Sequence, residues 1–202
     1  ADGKYPAMIS YMGYGSEVWY ADPSSNPQMI EFMLCVRNQA FNRKPGEKDD
    51  WCARGIADKD TYYYRGAFAD AVRAIDFVCS LEKTDIDRVF ANGESQGGAL
   101  TLAAASLDGR LKAIAPSAPF LCDYPDYFVL AGWPGEPIKA AAKEAGMSEE
   151  EMFKVLSYFD IKNFTDRIQC PVIMAIGLQD DVCPPHTNFA GYNHIRTEKS
   201  WI

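Results

Sequence analysis

The 202-residue sequence predicts an α/β architecture built on a mostly parallel sheet. Three observations carry that reading. Short apolar runs that stop at glycine or proline alternate along the chain with segments of helical period, the order that builds right-handed βαβ units. The runs are continuous rather than alternating, as expected where helices cover both faces of a sheet. Finally, 48% hydrophobic and 24% charged residues suit a packed core and not a disordered chain.

The first strand is read at Pro6–Met12, an apolar run that stops at Gly13, and the second at Ile30–Val36. Between them Asp22-Pro23-Ser24-Ser25-Asn26-Pro27 is a loop. Residues 38–60 are polar and bear Gly and Pro, which predicts a long surface loop; loops of that length are usually functional or packed on themselves. From Thr61 the period changes. Phe68, Ala71, Val72, Ile75 and Cys79 share one face of a helix running to about Leu81, with Asp60 as its N-cap. A third strand at Arg88–Asn92, a helix of small residues at Gln96–Leu107 and a fourth strand at Lys112–Pro116 follow. Ser148-Glu149-Glu150-Glu151 is a capping-box sequence that opens a helix through Leu156. Pro171–Ile176 is a fifth strand, a helix starts at about Thr187, and Lys199–Ile202 reads as the opening of one more strand. The expected organisation is one core over 1–202 with a cap-like insertion at about 120–160. That insertion is rich in aromatics (Phe120, Tyr124, Tyr127, Phe128, Trp133, Tyr158, Phe159), most of which are expected simply to pack onto the sheet.

Composition removes several classes of function. Lys plus Arg number 20 against 28 Asp plus Glu, a net charge of −8, so the chain lacks the basic surface that nucleic-acid binding needs. No apolar stretch approaches the roughly 18 residues of a membrane helix. The opening Ala1-Asp2-Gly3-Lys4-Tyr5-Pro6 has neither the basic nor the apolar region of a signal peptide. Only two histidines, His186 and His194, are present and the six cysteines form no C-x-x-C, so neither a metal nor a cofactor is expected. Cys35 and Cys170 sit in apolar runs as small core residues. A disulfide among the six would point to a periplasmic or secreted location, but cysteine usage alone leaves the compartment open.

Gly93-Glu94-Ser95-Gln96-Gly97 carries the chemistry. It is a G-x-S-x-G placed between a strand and a helix, the setting of a nucleophile elbow. Glycines two residues either side of Ser95 let neighbouring backbone pass close by, so that Oγ projects over the sheet and the Gln96 N–H points at a developing oxyanion. A second oxyanion donor belongs on the loop after an earlier strand, where Met12-Gly13-Tyr14-Gly15 offers the Tyr14 N–H. The chain order for such sites is Ser, then acid, then His. Gly177-Leu178-Gln179-Asp180-Asp181 follows the fifth strand, and Asp180, which comes directly after the strand and loop glycine, is the acid in preference to Asp181. Neither His186 nor His194 falls after a further strand, so the base is expected beyond Ile202.

These residues resemble a known family. Met12-Gly13-Tyr14, Arg54-Gly55-Ile56, Thr61-Tyr62-Tyr63-Tyr64-Arg65, Gly93-Glu94-Ser95-Gln96-Gly97-Gly98, Gly177-Leu178-Gln179-Asp180 and Cys183-Pro184-Pro185 are similar, in this order, to the carbohydrate esterase family seven enzymes. That group comprises the acetyl xylan esterases and cephalosporin C deacetylases of the α/β-hydrolase superfamily. The resemblance implies an α/β-hydrolase fold truncated at both ends, a serine esterase acting on acetylated sugars or xylo-oligosaccharides, and assembly into rings of subunits. It implies Ser95 as nucleophile, Asp180 as triad acid, and the Tyr14 and Gln96 amides as oxyanion hole. The family's Arg-Gly-Gln signature falls on Arg37-Asn38-Gln39, where Asn stands in place of glycine; Asn tolerates positive φ better than most residues. Two rival readings share the same residues: a non-catalytic carbohydrate-binding or scaffold protein on a degenerate hydrolase fold, and a peptidase of the prolyl-oligopeptidase type.

Overall fold

The computed structural model describes residues 3–20, 22, 24 and 26–202; Ala1 and Asp2, and Pro23 and Ser25 of the expected 22–27 loop, lie outside the described residues. Six strands form one sheet: β1 (Tyr5–Tyr11), β2 (Ile30–Leu34), β3 (Thr84–Glu94), β4 (Ala113–Ser117), β5 (Val172–Met174) and β6 (Lys199–Trp201). Their order is β2-β1-β3-β4-β5-β6 and every pair is parallel. The chain leaves β1 towards β2 and returns to β3 on the other side. The connections leaving the paired carboxyl ends of β1 and β3 therefore run in opposite directions, the switch point at which open α/β sheets place their sites.

Two helices cover one face of this sheet. α1 (Tyr63–Ser80) and α2 (Gln96–Leu107) pack on each other and on the central strands. α2 is buried all round, which explains its run of Gly, Ala, Leu and Thr. The buried stripe of α1 is Ala67, Phe68, Ala71, Ala74, Ile75 and Val78, a little rotated from the expected face, with Val72 and Cys79 half-buried at its edge. Asp60 does not cap α1. The cap residue is Tyr62, the amide of Tyr63 donates to the Arg54 carbonyl at 2.9 Å, and Asp60 pairs instead with Lys59. A carbonyl from the preceding loop thus does what a capping side chain would have done. That loop is surface-like only in part: Trp51, Cys52, Ala53 and Ile56 are buried, while 43–50 stays mostly exposed. On the far face of the sheet Met8 and Phe90 are half-buried, and Ala115 and Ile173 are exposed.

Between β4 and β5 lie α3 (Tyr124–Leu130), α4 (Gly135–Glu144) and α5 (Glu149–Leu156), followed by two 3-10 turns at Ile161–Asn163 and Thr165–Arg167; α6 (Pro185–His194) leads to β6. α5 opens on the anticipated reciprocal cap, with the Ser148 hydroxyl accepting from the Glu151 amide and the Glu151 carboxylate accepting from the Ser148 amide. Five of the seven aromatics picked out between 120 and 160 are buried packing residues, whereas Trp133 and Tyr158 remain exposed. All six cysteines are free thiols. Among the described residues no helix is long and apolar enough to cross a membrane.

Two stability measurements check this account. Ser148→Ala removes one half of the reciprocal cap and should cost about 1 kcal/mol in denaturant unfolding. Gly97→Ala places a Cβ 2.0 Å from the Tyr11 carbonyl oxygen and 2.8 Å from its carbon, backbone atoms that cannot move aside as a side chain can. It should cost several-fold more than the cap variant or prevent folding.

Candidate active site

Ser95 is the single residue between the end of β3 and the start of α2, at φ 55° and ψ −117°. A side chain pays a steric penalty at such angles, so the conformation persists only where the surroundings impose it. They do so from three sides. The Ser95 amide donates to the Ser117 carbonyl at 3.0 Å, and the Ser95 carbonyl accepts from Ala99 at 3.0 Å and from Phe120 at 3.1 Å. The flanking glycines are spatially necessary: a Cβ on Gly93 would lie 2.5 Å from the Gly97 carbonyl, and one on Gly97 would strike Tyr11. The Gln96 amide opens α2, where helix geometry leaves it without an intrahelical acceptor and the aligned peptide dipoles favour negative charge.

The loop after β1 is anchored to this elbow by side-chain amides. Gln39 and Gln96 are both fully buried and face each other, with Gln39 Nε2 donating to Gln96 Oε1 at 3.0 Å. Gln39 Oε1 accepts the Gly15 amide at 2.9 Å, and Gln96 Nε2 donates to the Met12 carbonyl at 3.4 Å. The Tyr64 hydroxyl donates to Gln96 Oε1 at 3.1 Å, and Gln39 Nε2 also donates to the Tyr63 hydroxyl at 2.8 Å. The segment 12–15 is thereby held on both sides of Tyr14. Tyr14 itself is pinned through its side chain: its hydroxyl donates to the Asp49 carbonyl and accepts the Cys52 amide, both at 3.2 Å, and its ring meets Trp51, Phe120 and Trp133 edge-on. Asn38 adopts φ 60°, the left-handed turn the signature requires, and Arg37 is held by a two-bond contact with Asp70 at 2.6 and 2.7 Å.

The loop after β5 approaches Ser95 from the opposite side. Asp180 Oδ1 accepts the amides of Val182 at 2.9 Å and Cys183 at 2.8 Å, which curls the loop around the carboxylate; Asp181 is exposed. That curl brings Cys183 Sγ to 3.9 Å from Ser95 Oγ. Burial pushes the Cys183 thiol above the ordinary thiol range, which keeps it neutral and protonated. Asn188, fully buried in α6, donates through Nδ2 to the carbonyls of Pro119, Cys183 and Pro184 at 3.3 Å each, tying the loop after β5 to the segment that carries Phe120. Neither histidine is brought to the elbow. His186 Nε2 lies 2.6 Å from Asp126, and His194 is exposed in the last turn of α6. Asp123, Asp126 and His186 are close enough to share a cation, but Asp123 already holds the Lys162 ammonium.

The sequence named both glutamines, one for its backbone amide and one as part of the signature. It did not show that their side chains pair, because 57 residues separate them and no local pattern links them. The same holds for Cys183, Tyr127 and Asn188, whose roles exist only once the β4 and β5 loops meet.

Comparison with known proteins follows the same line. The family described as acetyl xylan esterase (AXE1) matches residues 1–202. The acetyl esterase Axe7A of Xylanibacter ruminicola is 35% identical over 216 aligned positions, covering 98% of this chain; the chain spans only 47% of that curated relative's length. Among solved structures, the acetyl xylan esterase from Paenibacillus sp. R4 is 37% identical with a TM-score of 0.87, over 99% of this chain and 67% of its own. Acetyl xylan esterase 1 from Thermoanaerobacterium sp. JW/SL YS485 is 31% identical with a TM-score of 0.87, over 100% of this chain and 68% of its own. With a match along its whole length and relatives above 30% identity over nearly all of it, this chain belongs to the acetyl xylan esterase family, on an α/β-hydrolase fold.

Proposed function

We propose that this chain is the core of a serine esterase that removes acetyl groups from acetylated sugars or xylo-oligosaccharides. The observation that carries the reading is Ser95 held at a left-handed turn against the N-terminus of α2, in a chain of this family. Ser95 Oγ adds to the ester carbonyl while a general base takes its proton. The amides of Gln96 and Tyr14 stabilise the oxyanion, a term commonly worth a few kcal/mol per donor. Collapse of the adduct breaks the bond to the sugar oxygen, which receives the proton from the base. Water, deprotonated by the same base, then releases acetate from the acetyl-serine and restores the hydroxyl. Asp180 orients the base and stabilises its imidazolium form. By chain order that base belongs on the loop following β6, next to the acid strand in the sheet.

In the full-length enzyme, Ser95→Ala should lower turnover of p-nitrophenyl acetate and acetate release from acetylated xylo-oligosaccharides by at least on the order of 10²–10³. Wild-type turnover in that variant would sink the reading. Asp180→Asn should lower kcat by on the order of 10⁴ with little change in the thermal midpoint. Ser95→Gly should be as inactive as Ser95→Ala yet at least as stable, since glycine adopts the strained angles freely; thermal melts of the two variants side by side decide this.

A further inference from the structure

We propose that the Cys183 thiol, backed by Tyr127 and Phe120, is the wall that limits the acyl group of the substrate to short chains. The inference rests on Ser95 being the nucleophile and goes on to say which substrates it accepts. Cys183 Sγ stands 3.9 Å from Ser95 Oγ and 3.9 Å from the Tyr127 hydroxyl, so no atom fits between nucleophile and thiol or between thiol and phenol oxygen. The thiol cannot retreat. Its own amide is held by Asp180 at 2.8 Å, the Tyr127 hydroxyl donates to the neighbouring Val182 carbonyl, and the Tyr127 ring packs on Phe120 at 5.9 Å.

The wall beside Ser95 is buried, and the residues flanking it on the same segments reach solvent. Cys183, Tyr127 and Phe120 are 3%, 1% and 0% exposed, whereas Val182 next to Cys183, Leu178 on the same loop and Trp133 stacked on Phe120 are 54%, 62% and 39% exposed. An ester carbonyl carbon bears one alkyl group and one alkoxy group. When the alkoxy group is a sugar on a chain it must reach solvent, which leaves the buried wall to the alkyl group. A methyl group fits against a thiol at van der Waals contact, and a longer chain meets sulfur.

The test is the ratio of kcat/KM for p-nitrophenyl butyrate to that for p-nitrophenyl acetate in the full-length enzyme. A ratio is independent of the fraction of protein that folds. Cys183→Ala removes the sulfur and should raise the ratio about tenfold, the usual effect of making room for a methylene in an apolar pocket. Cys183→Val, which adds bulk, should lower the propionate-to-acetate ratio. Ratios unchanged from wild type in both variants overturn the proposal while leaving Ser95 in place. A wild-type enzyme that cleaves none of the esters would instead overturn the nucleophile assignment itself.

Discussion

The facing pair of buried amides, Gln39 and Gln96, is the interaction on which the site depends. One amide belongs to the loop after β2 and the other to the first turn of α2, and between them they also hold Met12 and Gly15. Three segments far apart in sequence are thus fixed around one point. Buried polar groups are costly unless satisfied, so a pair that satisfies itself and two backbone groups has few alternative arrangements. Tyr63 and Tyr64 extend the same restraint into α1, which in turn rests on the sheet. The position of the amide at Tyr14 relative to the one at Gln96 therefore follows from packing of the whole core.

A second tier acts on the other side of Ser95. The segment from Ala118 to Asp123 has three residues at positive φ, Ala118, Leu121 and Asp123, none of them glycine. Its stability comes from outside. The buried Asp160 carboxylate accepts the amides of Asp123 at 2.8 Å, Tyr124 at 3.0 Å and Lys162 at 3.1 Å, although burial raises its pKa. Asn188 then joins this segment to the loop after β5. Backbone strain is concentrated near the elbow, and polar side chains with no part in bond making or breaking hold it there.

Much of the fold was legible in the sequence because it is local. Gln96–Leu107 was bounded by the elbow and an Asp-Gly, the Ser148 box names its own helix, and β1, β2, β4 and β5 lie in apolar runs, whereas the polar Thr84–Asp87 start of β3 carries no such signal. The helix at α1 shows where locality fails: Asp60 has the chemistry of a cap, yet Arg54, nine residues before Tyr63, supplies the carbonyl. Spacing and order were enough to place Ser95 on the turn between β3 and α2, since a strand–turn–helix has few ways to present a hydroxyl, and Asp180 on the loop after β5. Side-chain pairs across loops, such as Gln39 with Gln96 or Cys183 with Ser95, arise from the sheet order and have no signature in one chain.

Trp133 has a practical consequence. Its indole stacks on Phe120 at 5.3 Å, meets Tyr14 at 4.9 Å and remains partly wet, while Trp51 touches the same tyrosine ring from within the core. The surface beside Tyr14 therefore carries its own optical gauge. With the exposed Trp19 and Trp201 replaced, any molecule that displaced water from Trp133 could be followed by the emission of that indole, with the sheltered Trp51 as an internal reference.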